Sequence, residues 1–211
     1  MNKYQILLPG GELLEDVLAY LNMAGIPVKF KSRCYRATVP NLPLEFVVVR
    51  ASSIPDLISN PVFPNITGGI TGSDILIEAG IINTPTIPIS LLVPDYIPSQ
   101  MFLGVRPNLI NKSLNGLTIA TKYPSIAKQY LLSSKTQANI FYIPGKDEAM
   151  LYLSQKVAGI IGIKKSGNTQ TANNIVVRNT IFTCSLNWIK RQNLDQKSSA
   201  AVTKFEALIR I

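Results

Sequence analysis

No histidine occurs among the 211 residues. An imidazole general base, a Cys–His nucleophile pair and a histidine-ligated metal are therefore excluded, and with them most hydrolase mechanisms. Cysteine is nearly absent: Cys34 and Cys184 are the only two, far apart in sequence. Without a secretion signal, such thiols read as free side chains in a reducing compartment. No apolar run approaches the roughly 18 residues that cross a bilayer. The first ten residues hold only Ile6-Leu7-Leu8 before Pro9, too short for a secretory h-region. The expectation is a cytoplasmic chain with no export signal and no membrane partner. Acidic side chains are scarce, 12 against 21 Lys and Arg, for a formal charge of +9. That balance favours an anionic partner: nucleic acid, a polyphosphate substrate or an acidic subunit. The cations are scattered, with only short pairs such as Lys164-Lys165 and Lys190-Arg191, and form no basic stripe interleaved with aromatics. This argues against nucleic acid, and a merely solvated surface accounts for the charge equally well.

What is present is a globular composition, 46% hydrophobic and 16% charged, in a chain long enough for one large domain or two small ones. Short apolar runs alternate with helical patterns, the signature of a parallel α/β protein. A strand is expected over Tyr4–Leu8, ending in the Pro9-Gly10-Gly11 turn. Leu13, Leu14, Val17, Leu18 and Leu21 then recur at helical spacing behind Glu12, Glu15 and Asp16, and Gly25 suits the C-terminal cap. Phe46–Val49 reads as a strand buried on both faces. The glycines of Gly68-Gly69-Ile70-Thr71-Gly72 suggest a turn before a short helix over Asp74–Ala79. Dense proline from Pro85 to Pro107 suggests crossover segments.

The alternation then restarts. Strands are expected over Leu117–Thr121, Asn139–Ile143 and Val157–Ile163, with one helix entered at Pro124 and another over Asp147–Gln155. The last strand runs into Ser166-Gly167-Asn168-Thr169. A terminal amphipathic helix is expected over Ser198–Ile211, and the Lys-rich segment from Lys190 to Lys204 reads as a linker to it. No internal repeat or low-complexity tract occurs.

Taken in order, several short motifs carry a resemblance. They are Leu8-Pro9-x-Gly11-x-Leu13-Leu14-Glu15-Asp16, then Ala24-Gly25-Ile26, Ser32-Arg33, and Val49-Arg50 with Ile54-Pro55. Gly69-Ile70-Thr71-Gly72-x-Asp74 follows, then Ala120-Thr121-Lys122-Tyr123-Pro124, Gly145-x-x-Glu148 and Ser166-Gly167-Asn168-Thr169 with Ala172-Asn173. To about Arg191 the chain resembles the short-form ATP phosphoribosyltransferases. That family performs the first step of histidine biosynthesis, joining N1 of ATP to C1′ of phosphoribosyl pyrophosphate and releasing pyrophosphate. The resemblance implies two α/β domains with a cleft between them, in the manner of bilobal solute-binding proteins. Domain I would comprise residues 1–90 with 185–211, and domain II residues 91–184. It also implies Mg²⁺ carried on substrate phosphates, and a homodimer or a hetero-oligomer with a regulatory subunit resembling histidyl-tRNA synthetase.

By the same resemblance, Lys165, Ser166, Gly167, Asn168 and Thr169 would face phosphoribosyl pyrophosphate, the loop holding its 5-phosphate through backbone N–H groups and hydroxyls. Gly11, Arg33, Arg50, Thr71, Gly72, Asp74, Lys122, Tyr123 and Glu148 would line the nucleotide site or the cleft. Each has a plainer alternative: Arg33 and Arg50 as surface ion-pair residues, Asp74 and Glu148 as charges at helix starts, the glycines as turns. Four positions depart from the family pattern. Gly10 and Glu12 stand where the family has cations; Gly162 and Lys165 stand where it has carboxylates that grip ribose hydroxyls. Each hydroxyl that loses its acceptor would cost about 1–3 kcal/mol, while Lys165 could instead meet a phosphate. The expected activity is therefore phosphoribosyl transfer to ATP. The alternatives are a diverged, non-catalytic member that binds a phosphorylated ligand or a partner, or a transferase with another nucleophile.

Overall fold

The run Ile6-Leu7-Leu8 has no polar face, and it is the centre of the first sheet. In the computed structural model, which describes residues 4–39, 41–81, 86–89 and 97–209, these three residues are 0–2% exposed. They belong to β1 (Tyr4–Pro9), which pairs in parallel with β3 (Leu44–Val49) on one side and with β4 (Ile66–Gly72) on the other. A strand flanked on both edges and covered on both faces must be apolar throughout. The described residues complete a six-stranded sheet in the order β2-β3-β1-β4-β11-β5, with β2 (Arg36–Thr38), β5 (Thr86–Ile89) and β11 (Leu186–Lys190).

Helices cover both faces of this sheet. On one side α1 (Glu12–Met23) and α7 (Gln196–Ile209) deliver Val17, Tyr20, Leu21, Val202 and Phe205 against Ile6, Leu8, Phe46 and Trp188. Phe205 meets Phe46 and Trp188 edge-on at 5.9 and 5.1 Å between centroids. Trp188 donates its indole N–H to Glu206 at 2.9 Å, and Lys190 lies 3.2 Å from the same carboxylate. On the other side α2 (Ile54–Ser59) and α3 (Ser73–Glu78) bring Ile54, Ile58 and Leu76 against Leu7, Ile66 and Ile189.

The chain divides into two compact units, one of residues 1–76, 81–96 and 185–211, the other of 77–80 and 97–184. The second is built on a five-stranded sheet ordered β10-β6-β9-β7-β8, from β6 (Gln100–Val105), β7 (Thr118–Thr121), β8 (Asn139–Tyr142), β9 (Val157–Lys164) and β10 (Val176–Thr183). Its helices are α4 (Pro124–Ser133), α5 (Met150–Leu153) and α6 (Asn168–Ala172). Phe102, Ala120, Leu151, Ile160 and Ile175 form a buried cluster.

The α/β class expected from the alternation holds, but several segments differ. The sheets are mixed rather than parallel, because β2, β5, β6, β10 and β11 each make antiparallel pairings. Gly68–Gly72 is not a turn but part of the fully buried strand β4. Its glycines admit close neighbours: a Cβ on Gly68 would lie 2.4 Å from the Trp188 ring, and one on Gly69 2.8 Å from Ile54. The proline-dense segment contains strands at Thr86–Ile89 and Gln100–Val105; its central part lies outside the described residues. Asp147–Gln155 is not one helix but a 3₁₀ turn over Asp147–Ala149 followed by the four residues of α5. The segment from Lys190 is not all linker, since α7 already begins at Gln196. Asp195 sets that start by accepting the N–H groups of Lys197 and Ser198 at 2.9 and 2.8 Å.

Candidate functional site

The ends of parallel strands β1 and β3 hold the candidate positions of the first unit. After β1 the chain turns through Gly10, whose N–H donates to the Val49 carbonyl at 2.7 Å, and Gly11, whose φ of 79° suits glycine. Gly11 precedes α1 without a capping side chain, and nothing lies within 4 Å of where its Cβ would be. With Tyr35, Val48, Val49, Arg50 and Ala51 these glycines line a cavity of about 520 Å³. Its walls are backbone and apolar side chain, with two larger groups at hand: Arg50, exposed, and Tyr35, 71% exposed. The recess is thus apolar, with a phenol ring and a guanidinium among its lining groups. Tyr35 was not apparent from the sequence; its signal is an aromatic left exposed beside a bare glycine turn.

The other candidates of this unit are placed differently. Arg33 is exposed at a left-handed turn, φ 57°, and is not among the residues lining that cavity. Thr71 is fully buried and donates its hydroxyl to the Ala51 carbonyl at 3.4 Å, tying β4 to the segment after Arg50. Asp74 is 6% exposed and folds its carboxylate over Gly72, where a Cβ would lie 2.1 Å from Oδ1. Glycine at 72 is required for that placement. Glu12 is exposed in the first turn of α1, where a negative charge complements the helix dipole.

In the second unit the candidates gather around the ends of parallel strands β7 and β9. Thr121 donates its hydroxyl to the Ile161 carbonyl at 2.6 Å and accepts the Tyr123 N–H at 2.9 Å, fixing the turn that leads to α4. Tyr123 is buried, at 2% exposure; Lys122 is exposed, with its ammonium 4.9 Å from the Tyr123 ring centroid. The first amides of α4 do not await an anion. Glu78 accepts those of Ser125 and Ile126 at 2.9 and 3.0 Å.

After β9 the chain passes through exposed Lys165 and Ser166 to Gly167, left-handed with φ 83°, and enters α6. Ser166, Asn168 and Thr169 are exposed, and nothing lies within 4 Å of a Cβ at Gly167. The loop is held from its far side. Thr171 donates its hydroxyl to the Gly167 carbonyl at 3.2 Å, and Asn173 donates its side-chain amide to the Thr169 carbonyl at 2.7 Å. At its tip the Asn168 N–H donates to the Ser166 hydroxyl at 3.4 Å.

Half-buried Glu148 has a neighbour the sequence did not single out. Asp147 follows Lys146, which is left-handed with φ 54°, and is 7% exposed. Its Oδ2 has no hydrogen-bond partner and lies 2.8 Å from where a Cβ of Gly162 would be. Burial, and next the charge of Glu148, push the Asp147 carboxyl up to about 6, against a smaller opposing pull from Lys122. Among the described residues, no group of three or more Cys, Asp and Glu could hold a metal ion.

The chain is similar to known proteins. The family described as HisG: ATP phosphoribosyltransferase matches residues 50–210. The ATP phosphoribosyltransferase of Petrotoga mobilis is 31% identical over 176 residues, 83% of this chain and 79% of that protein. That of Rhodopirellula baltica is 30% identical over 172 residues, 78% of this chain but only 53% of that protein. The chain thus spans about half the length of the second relative. Among solved structures, the ATP phosphoribosyl transferase (HisG:HisZ) complex from Thermotoga maritima shares the fold, with a TM-score of 0.71 at 22% identity over 98% of this chain and 96% of that one. No described helix is long and apolar enough to cross a membrane. The chain belongs to the ATP phosphoribosyltransferase family.

Proposed function

We propose that the chain transfers the phosphoribosyl group of phosphoribosyl pyrophosphate to N1 of ATP, the first step of histidine biosynthesis. The observation that carries this is the open loop Ser166–Thr169 at the end of a parallel strand, within the segment that matches the family. The C1′–O bond to pyrophosphate breaks with its electron pair leaving on the pyrophosphate, and N1 donates a pair to C1′. No proton need leave before bond formation, so a chain without histidine is chemically sufficient. Rate then comes from alignment of the reacting atoms and from cations facing the leaving group.

In this reading the roles divide between the units. Ser166, Gly167, Asn168 and Thr169 hold the 5-phosphate, and Lys165 adds a positive charge beside it. Arg50, Gly11 and Tyr35 receive the nucleotide, the base resting in the recess beside Tyr35. Lys122 and Glu148 flank the phosphoribosyl side. Buried Thr71, Asp74 and Tyr123 position the backbone of these turns. Mg²⁺ carried on the substrate phosphates would supply positive charge to offset that of the pyrophosphate. The protein's partner would be a regulatory subunit, since the similar Thermotoga maritima chain occurs in a HisG:HisZ complex.

A second reading, a member that binds phosphorylated ligand without turnover, is favoured by Gly10 and Glu12, which leave the first unit without two cations that the resemblance implies there. One assay separates them. Purified chain, with and without a regulatory subunit from the same source, is given ATP, Mg²⁺ and phosphoribosyl pyrophosphate, and pyrophosphate release is followed. ATP-dependent release supports transfer. Calorimetric binding of phosphoribosyl pyrophosphate without release, under both conditions, supports the second reading. Absence of binding overturns the loop assignment and both readings together.

A further inference from the structure

A bare glycine in the middle of a buried strand usually accommodates a neighbour, and at Gly162 the neighbour is a carboxylate. The strand residue is buried, and Asp147 Oδ2 occupies the place its side chain would take, 2.8 Å from the ideal Cβ. That oxygen is buried and has no hydrogen-bond partner, on a residue 93% shielded from solvent by its 7% exposure. A buried acceptor without a donor is unfavourable, and a buried carboxylate more so. Within the fold, Oδ2 is therefore left uncompensated.

The ligand that completes it must bring donors. A phosphate is excluded, because Asp147 and adjacent Glu148 would repel it. A divalent cation would find only these two carboxylates, fewer than a protein-held site requires among the described residues. Hydroxyl groups satisfy the oxygen without adding charge. Gly162 stands four residues before Ser166, and because β9 ends at Lys164 the two lie at most about 13 Å apart. A pentose phosphate bridges such a span once a hydrogen bond of about 3 Å is added at each end.

We propose that Asp147, lying over Gly162, is the sugar-binding carboxylate of this chain: its Oδ2 accepts a hydrogen bond from the vicinal 2- and 3-hydroxyls of a pentose 5-phosphate whose phosphate sits in the Ser166–Thr169 loop. The assignment rests on the phosphoribosyl reading above and adds the residue that reads the sugar. It makes Asp147 and Gly162 an interdependent pair, one supplying the carboxylate and the other the room for it. Burial first, and then the charge of Glu148, raise the affinity of Asp147 for its proton, against its own backbone N–H and the Lys122 cation.

The test is a calorimetric titration of the full chain at pH 7.5 with ribose 5-phosphate, 2-deoxyribose 5-phosphate and 3-deoxyribose 5-phosphate. The native chain should prefer ribose 5-phosphate over at least one deoxy form by about tenfold, the value of a charge-assisted hydrogen bond. Asp147→Asn, of equal size, should bind all three alike, at the affinity the native chain shows for the weaker deoxy form. Gly162→Asp should bind poorly, since two carboxylates compete for one space. The double variant Asp147→Ala, Gly162→Asp should recover the preference. If Asp147→Asn keeps the native preference, or the native chain binds all three equally, the sugar assignment is overturned while the phosphate loop stands. If the native chain binds none of them, the loop assignment falls and this one with it.

Discussion

Asp147→Asn should make the protein more stable and a poorer binder of phosphoribosyl pyrophosphate. The carboxyl titrates near 6 in the folded chain, against 3.8 ordinarily. Between those values the unfolded chain has released this proton while the folded chain still holds it, so folding takes up a proton and stability falls as pH rises from about 4 to about 6. The difference of about 2 pH units corresponds to roughly 3 kcal/mol at neutral pH, with about half of it reached at pH 5. Asparagine carries no such penalty and fills the same volume above Gly162. Lys122 and Glu148 are present in both proteins, so comparing the two isolates Asp147. Urea unfolding at pH 4, 5 and 7.5 measures it. The variant should gain on the native chain as pH rises, by about 1.5 M in midpoint at pH 7.5 for a slope near 2 kcal/mol/M. An equal gap at pH 4 and 7.5 would refute the premise that folding holds a proton on Asp147.

The remaining predictions concern packing, capping and the nucleotide side. Gly68→Ala forces a methyl to within 2.4 Å of the Trp188 ring and 2.6 Å of the Ile189 carbonyl oxygen, and should destabilise the first unit by about 1–3 kcal/mol, read as a lower denaturation midpoint with quenched or shifted Trp188 fluorescence. Glu206→Ala strands the buried Trp188 N–H and removes the partner of Lys190; a loss of about 1–3 kcal/mol is expected, and Glu206→Gln, which still accepts the indole N–H, should restore most of it. Glu78→Ala frees the Ser125 and Ile126 amides and should cost about 0.5–2 kcal/mol, visible as faster hydrogen exchange in the first turn of α4. Arg50→Ala and Tyr35→Ala should each weaken ATP binding by about tenfold in calorimetry and leave the affinity for phosphoribosyl pyrophosphate unchanged.

Legibility in the sequence followed how local each cause was. β1 and α1 were readable because a three-residue apolar run before Pro9-Gly10 and a helical stripe ending at Gly25 are set by neighbouring residues; Gly25 does adopt the left-handed geometry, φ 74°, that ends a helix. β4 was hidden for the opposite reason. Its glycines look like a turn, and only the Trp188 ring over Gly68, Ile54 over Gly69 and the Asp74 carboxylate over Gly72 explain them. None of those partners is selected by periodicity. The antiparallel strands β10 and β11 were missed similarly: Val176–Thr183 alternates irregularly between half-buried and exposed residues, with two register shifts against β6.

The same distinction governs the site. Ser166–Thr169 could be found by eye because strand, left-handed glycine and short helix are contiguous. Gly162 and Lys165, taken position by position, signified lost sugar contacts. The carboxylate that the resemblance implies at 162 has a counterpart in space, the Asp147 carboxylate from a 3₁₀ turn elsewhere in the chain. Replacing a strand side chain by hydrogen empties a volume of one side chain, and a neighbour of the same chemistry can enter it only if its own backbone allows. Here Lys146, in the left-handed region at φ 54°, turns the chain so that Asp147 does so. A departure from pattern at one residue is therefore evidence of lost function only after the space it vacated has been inspected. At Gly162 that space holds the Asp147 carboxylate, whereas at Gly10 the nearest atoms to the Cβ position belong to the Val48 side chain and the Val49 backbone.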